Sequence, residues 1–335
     1  YMGHNEYVER RFFAPFLKEP AWRRAARGLL NRSRLYVALG RMLSPVSGSR
    51  QPDTGDLFGV GPVRDDSRRL RRSDAEDRLV HENFRFVLDE MAAVARKAGT
   101  PLFLVRPASN LRDWAPEASD LALELPAAES RRRDAALATA RRLWEGGKGE
   151  AALEAVENAL RLDSTPALGH FLRGTILLAL GRRDEADRAL REARDRDAAP
   201  IRITGPLSQA IVHAWDAHAL PVLDAAAALA RESPEEIVGH EMILDYCHPT
   251  LTGHRRIAAL LAPEIQRALW PGEPVRPVDW QALETGGDGG EPASAFGAAW
   301  AGQMLLRQGE TVRAQALFHR AVSLDCLLYT SDAAD

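Results

Sequence analysis

Residues 147–163 are GKGEAALEAVENALRLD and residues 181–197 are GRRDEADRALREARDRD, so two stretches of similar pattern follow one another. Small, aliphatic and acidic residues stand at matching places, and each matching pair is 34 positions apart. The pairs are Gly147 and Gly181, Ala152 and Ala186, Val156 and Leu190, Ala159 and Ala193, and Asp163 and Asp197. Alanines at these places allow two helices to cross closely, and a glycine suits the turn between helices. The pattern predicts two tandem helical hairpins within residues 129–197.

A third copy of the pattern lies near the end of the chain. Its residues follow their counterparts at a constant offset of 128 positions; they are Gly302, Gly309, Ala314, Phe318, Ala321 and Asp325. A period of 34 residues with this arrangement is typical of tetratricopeptide repeats. A Gly-rich, acidic linker at 285–292 predicts that the third copy is a separate C-terminal hairpin over residues 293–325. Alanine- and arginine-rich helices of an ordinary bundle produce similar spacing, so that alternative stays open.

The sequence on both sides of the tandem repeats predicts an α/β domain. Ser73 and Glu76 have the spacing of a helix capping box, and Gly99 is a suitable end for that helix. The apolar residues that predict its inward face are Val80, Phe84, Val87, Met91 and Val94. Residues 101–106 (PLFLVR) and 220–223 (LPVL) are short apolar runs that follow helices, as buried parallel strands do.

Composition excludes several classes of function. The chain has 45% hydrophobic residues, 27% charged residues and a formal net charge of -3, which is typical of a globular protein and gives no reason to expect nucleic acid as a partner. Its apolar runs are shorter than the roughly 20 residues that cross a bilayer, so we predict no membrane span here. Cys247 and Cys326 have no spacing that defines a metal site or a disulfide framework.

The strongest local signal for chemistry is Asp245-Tyr-Cys-His248, which follows the second predicted strand and precedes a long helix. An aspartate three residues before a histidine can place its carboxylate on the imidazole when a tight turn joins them. The carboxylate then selects the tautomer and stabilises the imidazolium. The motif predicts that His248 is a general base oriented by Asp245, although a surface aspartate and histidine near a helix start are the plainer alternative.

A second signal is Gly3-His-Asn-Glu6. An asparagine amide just beyond a strand can donate to a carbonyl oxygen that becomes negative during attack, and such a donor is worth about 3 kcal/mol. Asn5 is the candidate for this role, and Gly3 allows the backbone to approach closely. Since glycine and asparagine are common in turns, an ordinary turn is the alternative.

Taken together and in this order, the two motifs resemble the SGNH (GDSL-type) hydrolase family, whose blocks supply Ser, Gly, Asn and finally Asp-x-x-His. Gly3 and Asn5 match the third block, and Asp245 with His248 matches the fifth. Residues 102–114 and 202–224 also look like the branch of the family that bears tetratricopeptide repeats, so the resemblance covers most of residues 1–270.

The resemblance implies a fold and a domain order. The fold is α/β, a three-layer α/β/α hydrolase domain of flavodoxin type, with inserted and C-terminal all-α hairpins. The first part of the hydrolase domain takes residues 1–128, the inserted repeats take 129–197, and the second part takes 198–272. The C-terminal hairpin takes residues 293–325. Residues 326–335 have no amphipathic period, and we expect them to be a non-native tail.

The resemblance also implies ester hydrolysis through a serine acyl-enzyme, without metal or cofactor. The chain departs from the family because Gly55-Asp56 is followed by Leu57 and no Gly-Asp-Ser block occurs. We therefore expect the nucleophile and the first strands upstream of Tyr1. On this reading the chain is an N-terminally truncated fragment that is inactive alone.

The expected substrate is a small-molecule or glycan ester, with O-acyl carbohydrates suggested by the resemblance alone. The helical repeats predict a protein partner. An O-acyltransferase would use the same residues, and a non-catalytic repeat scaffold that has lost its nucleophile is the alternative from another class. A location at the cell envelope or in the periplasm is likewise suggested only by the resemblance.

Other residues are weaker candidates. Asn110 and Arg112 follow the first predicted strand at the edge where α/β sheets bind ligands, so we predict that they line the pocket. Cys247 is adjacent to His248, but a small half-buried residue explains it better than a thiol nucleophile. The remaining groups are predicted to be solvated or capping, namely His4, His240 and His254 and the arginine clusters at 68–72 and 131–133.

Overall fold

A computed structural model describes residues 1–7, 73–119, 125–276, 302, 306 and 311–324. These residues are mostly helical, with one small parallel sheet among them. The elements are α1 (Asp74–Ala98), β1 (Val105–Arg106), α2 (Ala127–Glu145), α3 (Gly149–Leu162), α4 (Ala167–Ala179), α5 (Arg183–Asp195), α6 (Gly205–His218), β2 (Leu223–Asp224), α7 (Ala225–Glu232), a 3-10 turn (Pro234–Glu236), α8 (Leu251–Leu269) and α9 (Thr311–Leu324). The arginine cluster at 68–72, Gly309, Asp325 and the tail at 326–335 lie outside the described residues.

Helix α1 begins and ends as predicted. The Ser73 side chain accepts from the backbone amide of Glu76 while the Glu76 side chain accepts from Ser73, and Gly99 ends the helix in the left-handed conformation with φ 63°. The predicted inward face was wrong in its second half. The residues that the helix buries are Val80, Phe84, Leu88 and Ala92, whereas Met91 and Val94 are exposed. Steps of four residues place Val80, Phe84 and Leu88 in one buried cluster with helix α6.

The two strands pair in parallel, with Val105 beside Leu223 and Arg106 beside Asp224. Both strands are shorter than the apolar runs that predicted them, and the second lies at the end of its run. Successive residues face opposite sides: Leu104 packs with α1 and α6, and Val105 packs with α7 and α8. The described part of the sheet therefore has helices on both faces, as the alternation of a buried strand requires.

Helices α2 to α5 pack as two hairpins, α2 against α3 and α4 against α5, and the hairpins meet through α3 and α4. Matching residues of the two copies have the same environment. Gly147 and Gly181 both have positive φ, 71° and 73°, and both make the turn within a hairpin. The other matching pairs are buried: Ala152 and Ala186, Val156 and Leu190, Ala159 and Ala193, and Asp163 and Asp197.

A close helix crossing recurs in the C-terminal copy. A Cβ atom on Gly174 would lie 2.7 Å from Cγ of Leu190, so the backbone of α4 touches the Leu190 side chain. A Cβ atom on Gly302 would lie 3.0 Å from the ring of Phe318. In both cases the glycine contacts the residue sixteen positions later, as the offset between the copies predicts.

The chain enters and leaves the hairpins at neighbouring positions. Ser119 and Asp197 form an antiparallel bridge. The Asp197 carboxylate accepts from the backbone amides of Glu117 and Ala118 at 2.9 and 3.0 Å. The segment between these residues thus leaves and returns at one point, which is the arrangement expected when a unit is placed within another. No helix among the described residues has both the length and the apolar character to span a membrane.

Candidate active site

The Asp-x-x-His motif lies in a loop between the 3-10 turn and α8. Ile243 and Pro249 form an antiparallel bridge, and the amide of Leu244 donates to the carbonyl of His248 at 2.7 Å, so the chain reverses around the motif. The Thr250 side chain then caps α8 by accepting from the amide of Gly253 at 3.1 Å. A Cβ atom at Gly253 would lie 2.2 Å from the carbonyl oxygen of Met242, so the backbone at the start of α8 is in close contact with the loop.

Within this loop the side chains of Asp245 and His248 form a direct hydrogen bond. Oδ2 of Asp245 lies 2.7 Å from Nδ1 of His248. Oδ1 of the same carboxylate accepts from the amides of Cys247 and His248, both at 2.9 Å. The carboxylate is 1% exposed, while the imidazole side chain is 60% exposed. A buried carboxylate thus holds Nδ1 and leaves the other edge of the ring accessible, which is the geometry of an oriented general base.

Asp245 and His248 shift each other's pKa towards the charged forms. Burial acts to raise the pKa of Asp245, but the hydrogen bond and charge of His248 and the two backbone amides outweigh it, so the pKa lies below its ordinary value. The hydrogen bond to Asp245 raises the pKa of His248 above its ordinary value. Asp245 therefore stabilises the imidazolium form, as a general base that receives a proton requires.

Cys247 is more buried than the half-buried residue that we predicted. Its Sγ lies 3.7 Å from Nδ1 of His248, and burial and the Asp245 charge both raise the pKa of the thiol. A thiol held protonated in this way is a poor nucleophile. The ligand atoms of Asp245, Cys247 and His248 lie within 4.8 Å of one another, so these residues are close enough to contact one metal ion.

The N-terminal segment packs on Ile203 and reaches the carbonyl of Ala108. Gly3 has φ +113°, and a Cβ atom there would lie 2.7 Å from Cδ1 of Ile203, so both its conformation and its contacts favour glycine. The Tyr1 hydroxyl donates to the carbonyl of Ala108 at 3.5 Å. The Asn5 side chain is exposed and makes no hydrogen bond with the described residues. Its assignment to an oxyanion hole stays a prediction.

His4 differs from the solvated or capping histidine that we predicted. It is 8% exposed, and its Nδ1 accepts from the backbone amide of Ile203 at 3.2 Å. Burial above all, and then the nearby charge of His248, lowers the pKa of His4 to about 3. The ring is therefore neutral, with its proton on Nε2, and Nε2 is buried without a hydrogen-bond partner among the described residues. Because the charge of His248 contributes to this shift, His4 of the Gly3-His-Asn-Glu6 motif is within electrostatic range of the Asp-x-x-His motif.

Asn110 and Arg112 both contact the loop that carries the Asp-x-x-His motif. The buried amide of Asn110 lies 3.2 Å from Nδ1 of His240 and donates to the carbonyl of Ile243 at 3.4 Å. Arg112 pairs with Asp113 and Glu241 and donates to two backbone carbonyls of the segment at 234–237. These contacts hold the loop in place. That Asn110 and Arg112 line a ligand pocket stays a prediction.

Three further residues support the site without having been selected from the sequence. The Arg202 side chain is buried, and its Nη1 donates to the carbonyls of Asn110 and Trp114 at 2.7 and 2.8 Å. The ring of Trp114 lies 5.8 Å from that of Tyr246, which lies 5.7 Å from the imidazole of His248. An arginine or tryptophan without a spacing pattern carries no local signal of such a role.

Comparison with protein-family models, with curated proteins and with solved structures gives no match for this chain.

Proposed function

We propose that this chain carries the acid–base part of a serine hydrolase of the SGNH type that acts on carboxylic esters. The observation that carries the proposal is the bond between the buried Asp245 carboxylate and the exposed His248 imidazole at 2.7 Å. A histidine held in this manner can take the proton of an attacking hydroxyl and return it to the leaving group. The helices on both faces of the parallel strands support the finer proposal of a flavodoxin-like α/β/α domain.

In this mechanism a serine from a segment preceding Tyr1 attacks the ester carbonyl. His248 receives the hydroxyl proton, and Asp245 stabilises the resulting imidazolium. The C–O bond to the alcohol then breaks as the alcohol takes the proton from His248. Water attacks the acyl-enzyme with His248 again as the base, the bond between the serine oxygen and the acyl carbon breaks, and serine takes the proton back from His248 as the acid leaves. Asn5 is assigned to the carbonyl oxygen, with Gly3 allowing its approach.

The same proposal makes α2 to α5 tetratricopeptide hairpins inserted in the hydrolase domain and makes α9 part of a third repeat. The repeated glycine contacts, Gly174 with Leu190 and Gly302 with Phe318, support this assignment. Two hairpins cannot bury their apolar faces alone, and here they pack with Leu111 and Ile237 of the other unit. The repeats would present their remaining surface to a protein partner.

The test uses the chain extended by the segment that precedes Tyr1 in its gene. Hydrolysis of p-nitrophenyl acetate is measured for the extended chain and for His248→Ala. We expect the substitution to lower kcat/KM by about a thousandfold or more. His254→Ala is the matched control, because His254 is an exposed histidine on α8, and its kcat/KM should stay within about twofold of the unchanged chain.

A fluorophosphonate probe followed by peptide mapping gives an independent readout, since it should label one serine that lies outside residues 1–335. An extended chain without such a serine would contradict the hydrolase and favour the repeat scaffold. Activity that survives His248→Ala would refute the assignment of the base. Transfer of the acyl group to an added alcohol at the expense of hydrolysis would instead identify an acyltransferase using the same residues.

A further inference from the structure

A cavity of about 270 Å³ lies between the repeats and the α/β unit. Helix α5 forms one wall, α7 and the 3-10 turn form another, and residues 106–109 and 111, at the end of β1 and directly after it, form the floor. Neither Asp245 nor His248 lines it, so the cavity is distinct from the candidate active site. Its size suits a molecule smaller than most drugs, whose pockets begin at about 300 Å³.

The cavity is lined by an unusual number of guanidinium groups. They belong to Arg106, Arg183, Arg191, Arg194 and Arg231. Arg194 is buried, and it donates to Asp195 at 2.8 and 3.0 Å. Arg106, Arg183 and Arg191 are also paired, with Asp224, Glu236 and Asp187 in that order.

Arg231 is the exception. It lies in the last turn of α7 and makes no hydrogen bond or ion pair with another described residue. Because carboxylates pair with the other four arginines, Arg231 supplies the positive charge at the cavity wall that no described residue pairs with. A guanidinium of this kind binds a carboxylate or phosphate through two parallel hydrogen bonds.

The opposite wall offers an unsatisfied acceptor. Oδ2 of Asp187 accepts from Arg191 at 2.8 Å, but Oδ1 of the same carboxylate is buried without a hydrogen-bond partner among the described residues. Leaving such an atom unpaired is destabilising, because it has lost its hydrogen bonds to water without gaining others. The hydroxyls of Ser109 and Ser208 also line the cavity and make no hydrogen bond with the described residues. Oδ1 of Asp187 and the two hydroxyls would be satisfied by a ligand that donates hydrogen bonds, and Arg231 would be satisfied by one that carries negative charge.

The remaining lining is apolar, with Leu111, Ile203, Ile237 and Val238 all buried. We propose that this cavity is a binding site for a small anionic molecule that bears hydroxyl groups, of the chemical class of sugar acids. Its carboxylate pairs with Arg231, a hydroxyl donates to Oδ1 of Asp187, and the C–H face packs on the apolar residues. Because the two walls belong to the repeats and to the α/β unit, the ligand joins them.

The test is isothermal titration of the 335-residue chain with glucuronate, gluconate and glucose. No nucleophile is needed, so its outcome is independent of the hydrolase proposal. We expect saturable binding of one acid per chain, and binding of the neutral glucose at least about tenfold weaker. Arg231→Gln should weaken binding of the acid by about tenfold or more. Arg85→Gln is the matched control and should leave the affinity unchanged, because Arg85 is exposed on α1, lies outside this cavity and makes no ion pair with another described residue.

Absence of saturable binding of both acids up to ~10 mM would overturn the proposal. Equal affinity for glucose would overturn the assignment of an anion, and equal affinity of Arg231→Gln would overturn the site. The Arg231 side chain is exposed and makes no ion pair with the residues that the structure describes, so the variant should fold, and an unchanged urea midpoint confirms that the comparison is valid.

Discussion

Lowering the pH from 7.5 to 5.0 should destabilise the N-terminal segment through His4. Burial, and then the charge of His248, lowers the pKa of His4 to about 3 in the folded chain, whereas an unfolded histidine titrates near 6.5. Below pH 6.5 the unfolded state therefore binds more protons than the folded state. Stability from the neutral ring is fully present above pH 6.5 and is lost progressively as the pH falls towards 3.

The size of the effect follows from these two values. At pH 5.0 the unfolded histidine is about one and a half pH units below its pKa, and the buried ring is still neutral. Each unit corresponds to about 1.4 kcal/mol, so the chain should lose about 2 kcal/mol. His4→Asn is the matched variant, because the amide oxygen can accept from the Ile203 amide as Nδ1 does and the side chain does not titrate.

The assay is urea unfolding followed by circular dichroism at both pH values. Between pH 7.5 and 5.0 the unchanged chain should lose about 2 kcal/mol more of its free energy of unfolding than His4→Asn does. If the segment detaches before the chain unfolds, hydrogen exchange at the Ile203 amide should report it, with opening about thirtyfold more favourable at pH 5.0 in the unchanged chain alone. The same pH dependence in both proteins, or a His4 titration near 6.5 by NMR, would refute the reasoning.

Three further outcomes are expected. Asp245→Asn removes the charge that raises the pKa of His248, so the NMR titration midpoint of His248 should move down, and an unmoved midpoint would mean that the pair is not bonded in solution. Gly174→Ala places a methyl group against Leu190 and should lower the free energy of unfolding by about 1–2 kcal/mol, despite alanine's better helix propensity; an unchanged urea midpoint would exclude that close contact. Ser73→Ala removes the cap of α1 and should cost about 1 kcal/mol in the same assay, and no loss would show that solvent replaces the cap.

Features of the fold that depend on neighbours in sequence were predicted well. The capping box at Ser73, the end of α1 at Gly99 and the turns at Gly147 and Gly181 each depend on one turn of chain, so local residue types decide them. The inward face of α1 was predicted less well, because the burial of Leu88 is decided by the position of α6 rather than by hydrophobicity alone.

The length of the two strands could not be predicted from the sequence. The apolar runs at 101–106 and 220–223 predicted strand character, but pairing in the described residues is confined to Val105 and Arg106 with Leu223 and Asp224. A strand exists only where a second chain segment accepts its hydrogen bonds. The length of a strand is therefore decided by its neighbours and not by its own composition.

The sequence by itself determined the features that act over a few residues. The 34-residue period indicated the helical hairpins, and the three-residue spacing of Asp245 and His248 was enough to predict their contact. Only the tertiary structure decided the burial of His4 against Ile203, the position of Arg202 beneath Asn110 and the cavity between α5 and α7. These contacts join residues that are far apart in the chain. Their strength depends on desolvation, and desolvation is decided by the folded surroundings rather than by the residue type or its spacing in the sequence.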